Sequence, residues 1–580
     1  MRIISSNKSI LSGIILVTFI LLLIVPTIWF ERNSYDSLLT FIIQKLNRPD
    51  LYTLFRNKLF TKERYDTICK FHWIIYPIII ALIILAIKLK KVLDNLLSFI
   101  YLRSSNYGKS TILFFKNQNK TQRLIFILVI IIYFILSFYK ILNRGITYDE
   151  AWNYNYFIGK PPYFSFILFN TYPLYHFIAS IIDFLHFDPC VSGRVISALT
   201  GSFFLVSIYL FTSKNYRLNS AVLVLFIILA SPFFIVFSAI IKGVILCIAI
   251  SFIHFYATIQ YVKNRDNKSY LFIYLISSFL NILSMPTAII FSIASCVYII
   301  IQQLNLTKKE WLPILKIILY STATILISLL FYLPIVFSSG KEKILGVENS
   351  GEYANIFLSY FYLTSKLFWG NQYLNIILFV VGIIALLFSK NKNEKIMLGY
   401  SITIIVITCL FFIYKKTPDR SIAFLFIPYL TIIIYIINTA ASIIGTSVSF
   451  IYPIISCVII ITLIIPIYNY SYEFVYPKGI DKTLSKRISN LLLDKHVSSC
   501  YVQNADFWIN YPEIEYYYSR KKQYWNMNNN QDWSTRYKPY SVKDKYDCII
   551  TDSSNKFTVD SSYTMGWKEN DFKIYFKKSK

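Results

Sequence analysis

The chain has 580 residues, 56% of them hydrophobic and 15% charged, with a mean hydropathy of +0.52. That balance excludes a string of soluble domains and fits a polytopic membrane protein. Lysine and arginine exceed aspartate and glutamate by 28 charges, but the excess sits in short clusters between apolar runs. This is how loops hold a membrane protein's orientation, and it argues against a nucleic-acid partner.

A span needs about twenty apolar residues, and loops rich in Lys and Arg stay on the cytoplasmic side. With Arg2 and Lys8 inside, a first span runs from Ile10 to Phe30; it is too long for a signal-peptide core and lacks a small-residue cleavage site. A mixed-charge segment, 31–71, follows outside. A second span from His72 to Ile87 returns to a loop carrying Lys88, Lys90, Lys91, Arg103, Lys109, Lys116, Lys120 and Arg123 against Asp94 alone, the clearest cytoplasmic anchor. A third span, Leu124 to Leu142, then delivers the loop 143–193 to the outer side. The later part of that loop, YPLYHFIASIIDFLHF, is short for a span and reads as an interfacial helix.

Further spans are expected at 194–212, 220–238, 243–261, 270–284, 286–302, 314–338, 373–390, 396–414, 421–441 and 449–468, about 13 in all. The loops assigned inside, KNYRLN, KNRDNK, LTKKEW and KNKNEK, are all basic. One outward loop breaks the rule: Lys415, Lys416 and Arg420 stand in YKKTPDR, a cationic cluster suited to holding an anion. The polar tail 469–580 has strand-like stretches, YDCIITD and FKIYFKK, and a candidate helix at 506–518, and reads as a small extracytoplasmic α/β domain. The expected fold is thus an all-α membrane protein with three parts. Two N-terminal spans and a basic loop occupy 1–123, a catalytic transmembrane domain 124–468, and the tail domain 469–580. Eight cysteines form no metal-binding spacing. Cys247, Cys296, Cys409 and Cys457 lie in apolar runs as packing residues, while Cys500 and Cys548 in the tail could pair if the compartment is oxidising.

The residues suited to chemistry gather in the loop 143–193, where Asp149 and Glu150 stand among Tyr148, Trp152, Tyr154 and Tyr156. A carboxylate near an incoming hydroxyl can take its proton, and Asp149 is the candidate base. Glu150 either orients the acceptor or acts on Asp149 through like-charge repulsion. By itself the acidic pair also reads as a helix cap.

Five motifs occur in order: TYDEAWNY at 147–154, YPLYHFIAS at 172–180, GRVISALTG at 193–201, SPFFIVFSAIIKG at 231–243, and TPDRSIAFLFIP at 417–428. In this order the chain resembles the GT-C superfamily of polyprenyl-phosphate-sugar glycosyltransferases, of the protein O-mannosyltransferase and lipid A aminoarabinose transferase type, over roughly 124–440. It departs in carrying Lys242 where relatives often have Arg, and Tyr172 where a Pro is commoner; Lys keeps the charge without the bidentate fork.

The resemblance implies a multi-pass protein of the plasma (inner) membrane with an extracytoplasmic active site. Asp149 would activate an acceptor hydroxyl of a lipid, glycan or protein, and the sugar would transfer with inversion from a polyprenyl-phosphate donor. Arg420 would hold the donor phosphate, with Lys242 and Arg194 behind it. Tyr148, Trp152 and Tyr175 would stack on sugar, and His176 would assist proton transfer. Some relatives use a divalent cation, which here would fall at Asp149 and Glu150. The alternative is a multi-span transporter or flippase of lipid-linked saccharides. Spans that look nearly pure in Ile, Leu, Phe and Val, with no internal repeat, weigh against it.

Overall fold

The computed structural model describes chiefly residues 32–46, 61–70, 120–143, 146–159, 162–166, 172–183, 189–304, 311–332, 372–414, 419–444, 484–497, 500–502, 547–552 and 559–578. The expected spans at 10–30, 72–87 and 449–468 and the candidate helix at 506–518 lie outside the described residues, as do Lys415 and Lys416.

The chain divides into two compact units. The smaller contains α1 (Tyr35–Leu46), α2 (Lys62–Lys70) and a four-stranded sheet. The strands are β1 (Cys500–Val502), β2 (Cys548–Asp552), β3 (Tyr563–Glu569) and β4 (Phe572–Lys577), in the order β1-β2-β4-β3. Strands β1 and β2 are parallel and the other pairings antiparallel. Both expected strand stretches are present as β2 and β4.

The larger unit is a helical bundle. It contains α3 (Lys120–Asn143), α4 (Tyr148–Asn153), α5 (Pro173–Asp183), α6 (Pro189–Asn215), α7 (Leu218–Leu229), α8 (Pro232–Phe237), α9 (Val244–Lys263) and α10 (Lys268–Ser284). These are followed by α11 (Ile289–Leu304), α12 (Trp311–Leu330), α13 (Gln372–Phe388), α14 (Lys392–Tyr414), α15 (Phe426–Ile444) and α16 (Leu484–Asp494). Among the described residues six helices are long and apolar enough to cross a membrane, and four shorter ones are apolar. Helix α12 turns Leu312, Leu315, Leu319, Leu326 and Ile327 outward, a continuous apolar face that suits lipid rather than water.

The expected span 220–238 is broken. Helix α7 has 12 residues and reaches about 18 Å, against a hydrocarbon core of about 30 Å. Ser231 then starts α8: its hydroxyl accepts from Phe234 N at 3.2 Å and donates to Leu367 O at 2.9 Å, with Pro232 in the first turn. Elsewhere the packing is close. Gly201 lacks the Cβ that would stand 2.1 Å from the Tyr133 hydroxyl, so α3 approaches α6 and that hydroxyl donates to Ala198 O at 2.8 Å.

The bundle has two chemically different ends. At one, Arg265 donates to Gln302 O at 2.8 Å and Tyr298 to Ile396 O at 2.7 Å, which gathers the Lys263–Lys268 turn, the end of α11 and the start of α14. Three of the loops assigned to the cytoplasm, those with Lys214, Arg265 and Lys392, thus lie at helix ends of matching parity. At the other end, Tyr332 donates to Ile282 O at 2.7 Å and Thr287 to Ser421 O, which gathers the ends of α10 and α12 with the starts of α11 and α15.

Between the ends, α9 departs from the expectation of purely apolar spans. Cys247, Ser251, His254 and Thr258 follow one another at steps of four, three and four, one face of a helix, and all are fully buried. Ser251 donates to Asn281 Oδ1 at 3.1 Å. His254 Nδ1 lies 3.1 Å from Tyr274 O and 3.0 Å from Ser277 Oγ, and Nε2 lies 2.9 Å from Ser295 Oγ. Ser295 meets the Tyr400 hydroxyl, which donates to Thr258 at 3.4 Å. The stripe ties α9 to α10, α11 and α14. Since lipid gives apolar faces no preferred partner, such bonds set the rotation of a span.

Candidate active site

The site is built on a short helix. Thr147 caps α4 by accepting from Glu150 N at 3.2 Å, and Glu150 Oε2 accepts from Thr147 N at 3.0 Å. The two form a capping box. The cap turns Glu150 inward and leaves Asp149, one residue earlier, on the open side of the first turn.

Glu150 is fully buried, and both its oxygens are in use. Oε1 accepts from Arg194 Nε at 2.7 Å and from Ile241 N at 3.0 Å; Oε2 accepts from Arg194 Nη2 at 2.8 Å as well as from Thr147 N. Arg194 is fully buried too. This corrects two sequence expectations. Arg194 meets Glu150 in a bidentate pair rather than a donor phosphate, and Glu150 has no lone pair turned toward an acceptor, while its charge is balanced by the guanidinium. The two are positioning residues.

What they position is the turn before α9. Glu150 takes the N–H of Ile241, and Asn153 Nδ2 donates to the carbonyl of the same residue at 2.8 Å. Ser197 donates to Ile240 O at 2.8 Å. The next residue, Lys242, is 7% exposed and its ammonium lies against the carboxylate of Asp149, whose side chain is 42% exposed. The structure therefore brings Asp149 and Lys242 together, while the Arg420 side chain that the same reading needs lies outside the described residues. Asn153 and Ser197 were not singled out as site residues; Asn153 stands on the same face of α4 as Glu150, three residues on.

Helix α5 closes the other side of this turn. Tyr175 donates to Gly193 O at 2.8 Å with its oxygen 3.1 Å from Ser197 Oγ, and it is fully buried. Burial raises its phenol above the ordinary range. It thus packs behind the site instead of offering a stacking face to sugar. A Cβ on Gly243 would meet Tyr172 Cβ at 2.8 Å and Tyr175 Cβ at 2.9 Å. Both are backbone-anchored and cannot swing away. Gly243→Ala is expected to lower stability by about 1–3 kcal/mol and to shift Lys242; thermal unfolding beside the parent checks it, and an unchanged midpoint would contradict the packing.

Trp152 is half-buried on α4. Tyr148 lies in α4 and Arg420 in the 3-10 turn Asp419–Leu425, but the side chains of both are outside the described residues. After α4 the chain winds into a π-helical turn, Tyr154–Ile158, where Tyr154 donates to Asp183 at 3.3 Å.

His176 does not face the carboxylate as a proton carrier. It is fully buried, stacked on Phe157 at 4.9 Å with 1° between the rings, edge-on to Tyr172 and Tyr175, and neither ring nitrogen has a hydrogen-bond partner among the described residues. Burial pushes its pKa from 6.5 down to about 3. The unfolded chain then binds one more proton than the folded one between these values. Stability is complete above pH 6.5 and falls as pH drops toward 3, by about 1.4 kcal/mol per unit. His176→Phe is expected to be neutral or stabilising at pH 7 and to flatten the loss between pH 6.5 and 5; a variant melting as acid-sensitively as its parent would contradict this.

A divalent cation at Asp149 and Glu150 would have to compete with the groups already on them. One carboxylate has an ammonium against it and the other has its lone pairs taken. Among the described residues there is no group of three or more His, Cys, Asp or Glu that could hold a metal.

No family model and no curated protein matches the chain. Among solved structures it is similar to ArnT from Cupriavidus metallidurans bound to undecaprenyl phosphate, with 10% identity, 77% of this chain and 97% of that chain covered, and a TM-score of 0.49. It is also similar to an Archaeoglobus fulgidus oligosaccharyltransferase in complex with Zn and sulfate, at 12% identity, 74% and 68% coverage and a TM-score of 0.43. A third similar structure is AglB of the same organism with an inhibitory peptide and a dolichol-phosphate, at 11% identity, 75% and 70% coverage and 0.43.

Proposed function

We propose that the chain is an integral-membrane glycosyltransferase that moves a sugar from a polyprenyl-phosphate donor to a hydroxyl of a lipid, glycan or protein on the extracytoplasmic face. The observation that carries this reading is the half-exposed Asp149 carboxylate held against the Lys242 ammonium, far apart in sequence, at the bundle end opposite the basic loops. The resemblance of the motif order supports it independently.

In the resting pair, Lys242 balances the charge of Asp149. A donor phosphodiester carries one negative charge, as the carboxylate does, and offers the ammonium a second anion whose charge grows as its bond to the sugar breaks, so the ammonium moves toward the phosphate as transfer proceeds. Asp149 is then available to the acceptor hydroxyl. The acceptor oxygen forms its bond to the sugar carbon, its proton passes to the Asp149 carboxylate, and the bond from that carbon to the phosphate oxygen breaks. Polyprenyl phosphate leaves with both electrons of that bond, its charge met by Lys242 and, from its place in the motif, Arg420. Glu150, Arg194 and Asn153 hold the geometry.

The transporter reading draws some support from the polar stripe of α9 and from the buried Asn281 Nδ2 beside it, which has no hydrogen-bond partner among the described residues, but Ser251, His254 and Thr258 bond to neighbouring protein groups rather than to a solute. The test is transfer by purified protein in lipid from a panel of polyprenyl-phosphate sugars, following released polyprenyl phosphate. Failure on every donor, with lipid-linked saccharide still crossing vesicle membranes in parent and Asp149→Asn alike, would establish the carrier instead.

A further inference from the structure

The sheet sets two cysteines in register. In the parallel pairing of β1 with β2, Cys500 stands opposite Cys548, Tyr501 opposite Ile549 and Val502 opposite Ile550. Neighbouring strands lie about 4.8 Å apart, inside the 4.4–6.8 Å of Cα separation that a disulfide spans. Cys548 is fully buried on a central strand, between β1 and β4. Its partner strand has three residues at the sheet edge. Three ladder positions are little to hold an edge strand, particularly one whose parallel pairing closes a long crossover.

We propose that Cys500 and Cys548 form a structural disulfide that staples β1 to the sheet. This rests on the reading that the tail faces the oxidising side of the membrane. One cysteine thiolate attacks the disulfide of an exchange partner of the thiol oxidoreductase class, and that partner leaves one of its sulfurs as a thiol. The second cysteine thiolate then displaces the partner from the mixed disulfide. The chain loses two protons and two electrons; the partner ends as a dithiol. Exchange precedes closure of the sheet, because Cys548 is inaccessible once folded.

Cells are quenched in acid, denatured, and alkylated with a light maleimide; the protein is then reduced, labelled with a heavy maleimide and mapped by mass spectrometry. Cys500 and Cys548 are expected to carry the heavy label, with one linked peptide before reduction, while Cys247 carries the light one. Cys500→Ser is expected to move Cys548 to the light label. If that variant does not accumulate, the parent map decides alone. A second arm unfolds and reduces the purified protein and then removes the denaturant in the presence of glutathione disulfide, so that Cys548 is open to exchange before the sheet closes. Thiols that are light in cells but link in this arm would overturn the placement of the tail, and the native disulfide with it. Thiols that stay light in both arms would overturn the pairing itself. Labelling tail lysines in intact cells with a membrane-impermeant reagent then reads the placement separately.

Discussion

Asp149→Asn is expected to lower kcat by about 10²–10⁴ while leaving donor binding close to that of the parent. Asn keeps the shape of the carboxylate and loses only its charge and basicity, so it cannot take the acceptor proton. The side chain is 42% exposed and lies at the end of the bundle, so the substitution disturbs no packed core, and the thermal midpoint should fall only by the loss of the ion pair with the nearly buried Lys242. Lys242 then serves as the contrast. Lys242→Met removes the ammonium that the donor phosphate draws, and should raise the donor KM as well as lower kcat, because phosphate contacts act in both the ground state and the transition state. Lys242→Arg should restore much of the binding. Initial rates against donor concentration separate the two residues. An Asp149→Asn enzyme that keeps more than about a tenth of the parent rate is incompatible with a general base at this position.

The helical class was legible in the sequence because it rests on local signals. Apart from 220–238, the apolar runs of span length within the described residues became helices, and the loop carrying Tyr148 to Trp152 does deliver Asp149 to Lys242. The roles of Glu150 and Arg194 were not legible. A motif shows that a charge is present but not which partner it meets, and these two are brought together only by the packing of α4 on α6. One clue was available: Thr147 followed three residues later by Glu150 is the capping-box spacing, and a box turns its acid back toward the chain. The break at Ser231 was equally readable from Ser-Pro, but averaging hydropathy over a span hides a two-residue stop. The same averaging concealed the stripe of Cys247, Ser251, His254 and Thr258, which a helical projection of α9 would have placed on one face. That Cys500 and Cys548 share the tail was legible, but the register that sets them opposite each other across a long crossover is encoded by no local signal.

Removing Glu150 should be the most destabilising single change at the site. Glu150→Ala takes away the acceptor for both guanidinium nitrogens of Arg194 and for the N–H groups of Thr147 and Ile241, all in a place from which water is excluded. Breaking one side of a buried ion pair typically costs about 3–5 kcal/mol, and the two stranded N–H groups add to that. Arg194→Met leaves Glu150 with both backbone donors, so its loss should be smaller. The double variant Glu150→Leu with Arg194→Met removes both charges and should recover much of what Glu150→Ala loses, since an apolar pair of similar volume is often as stable as the ion pair it replaces. Yet Thr147 would still lack half of its capping box and Ile241 its side-chain acceptor. Transfer by the double variant should therefore stay well below the parent even where its melting temperature approaches it, because the turn that presents Lys242 to Asp149 is no longer held. Thermal unfolding and transfer rate on the same four proteins decide the matter. Equal losses from the two single variants would show that Glu150 serves only the guanidinium. Full activity in a stable double variant would show that the turn needs no anchor.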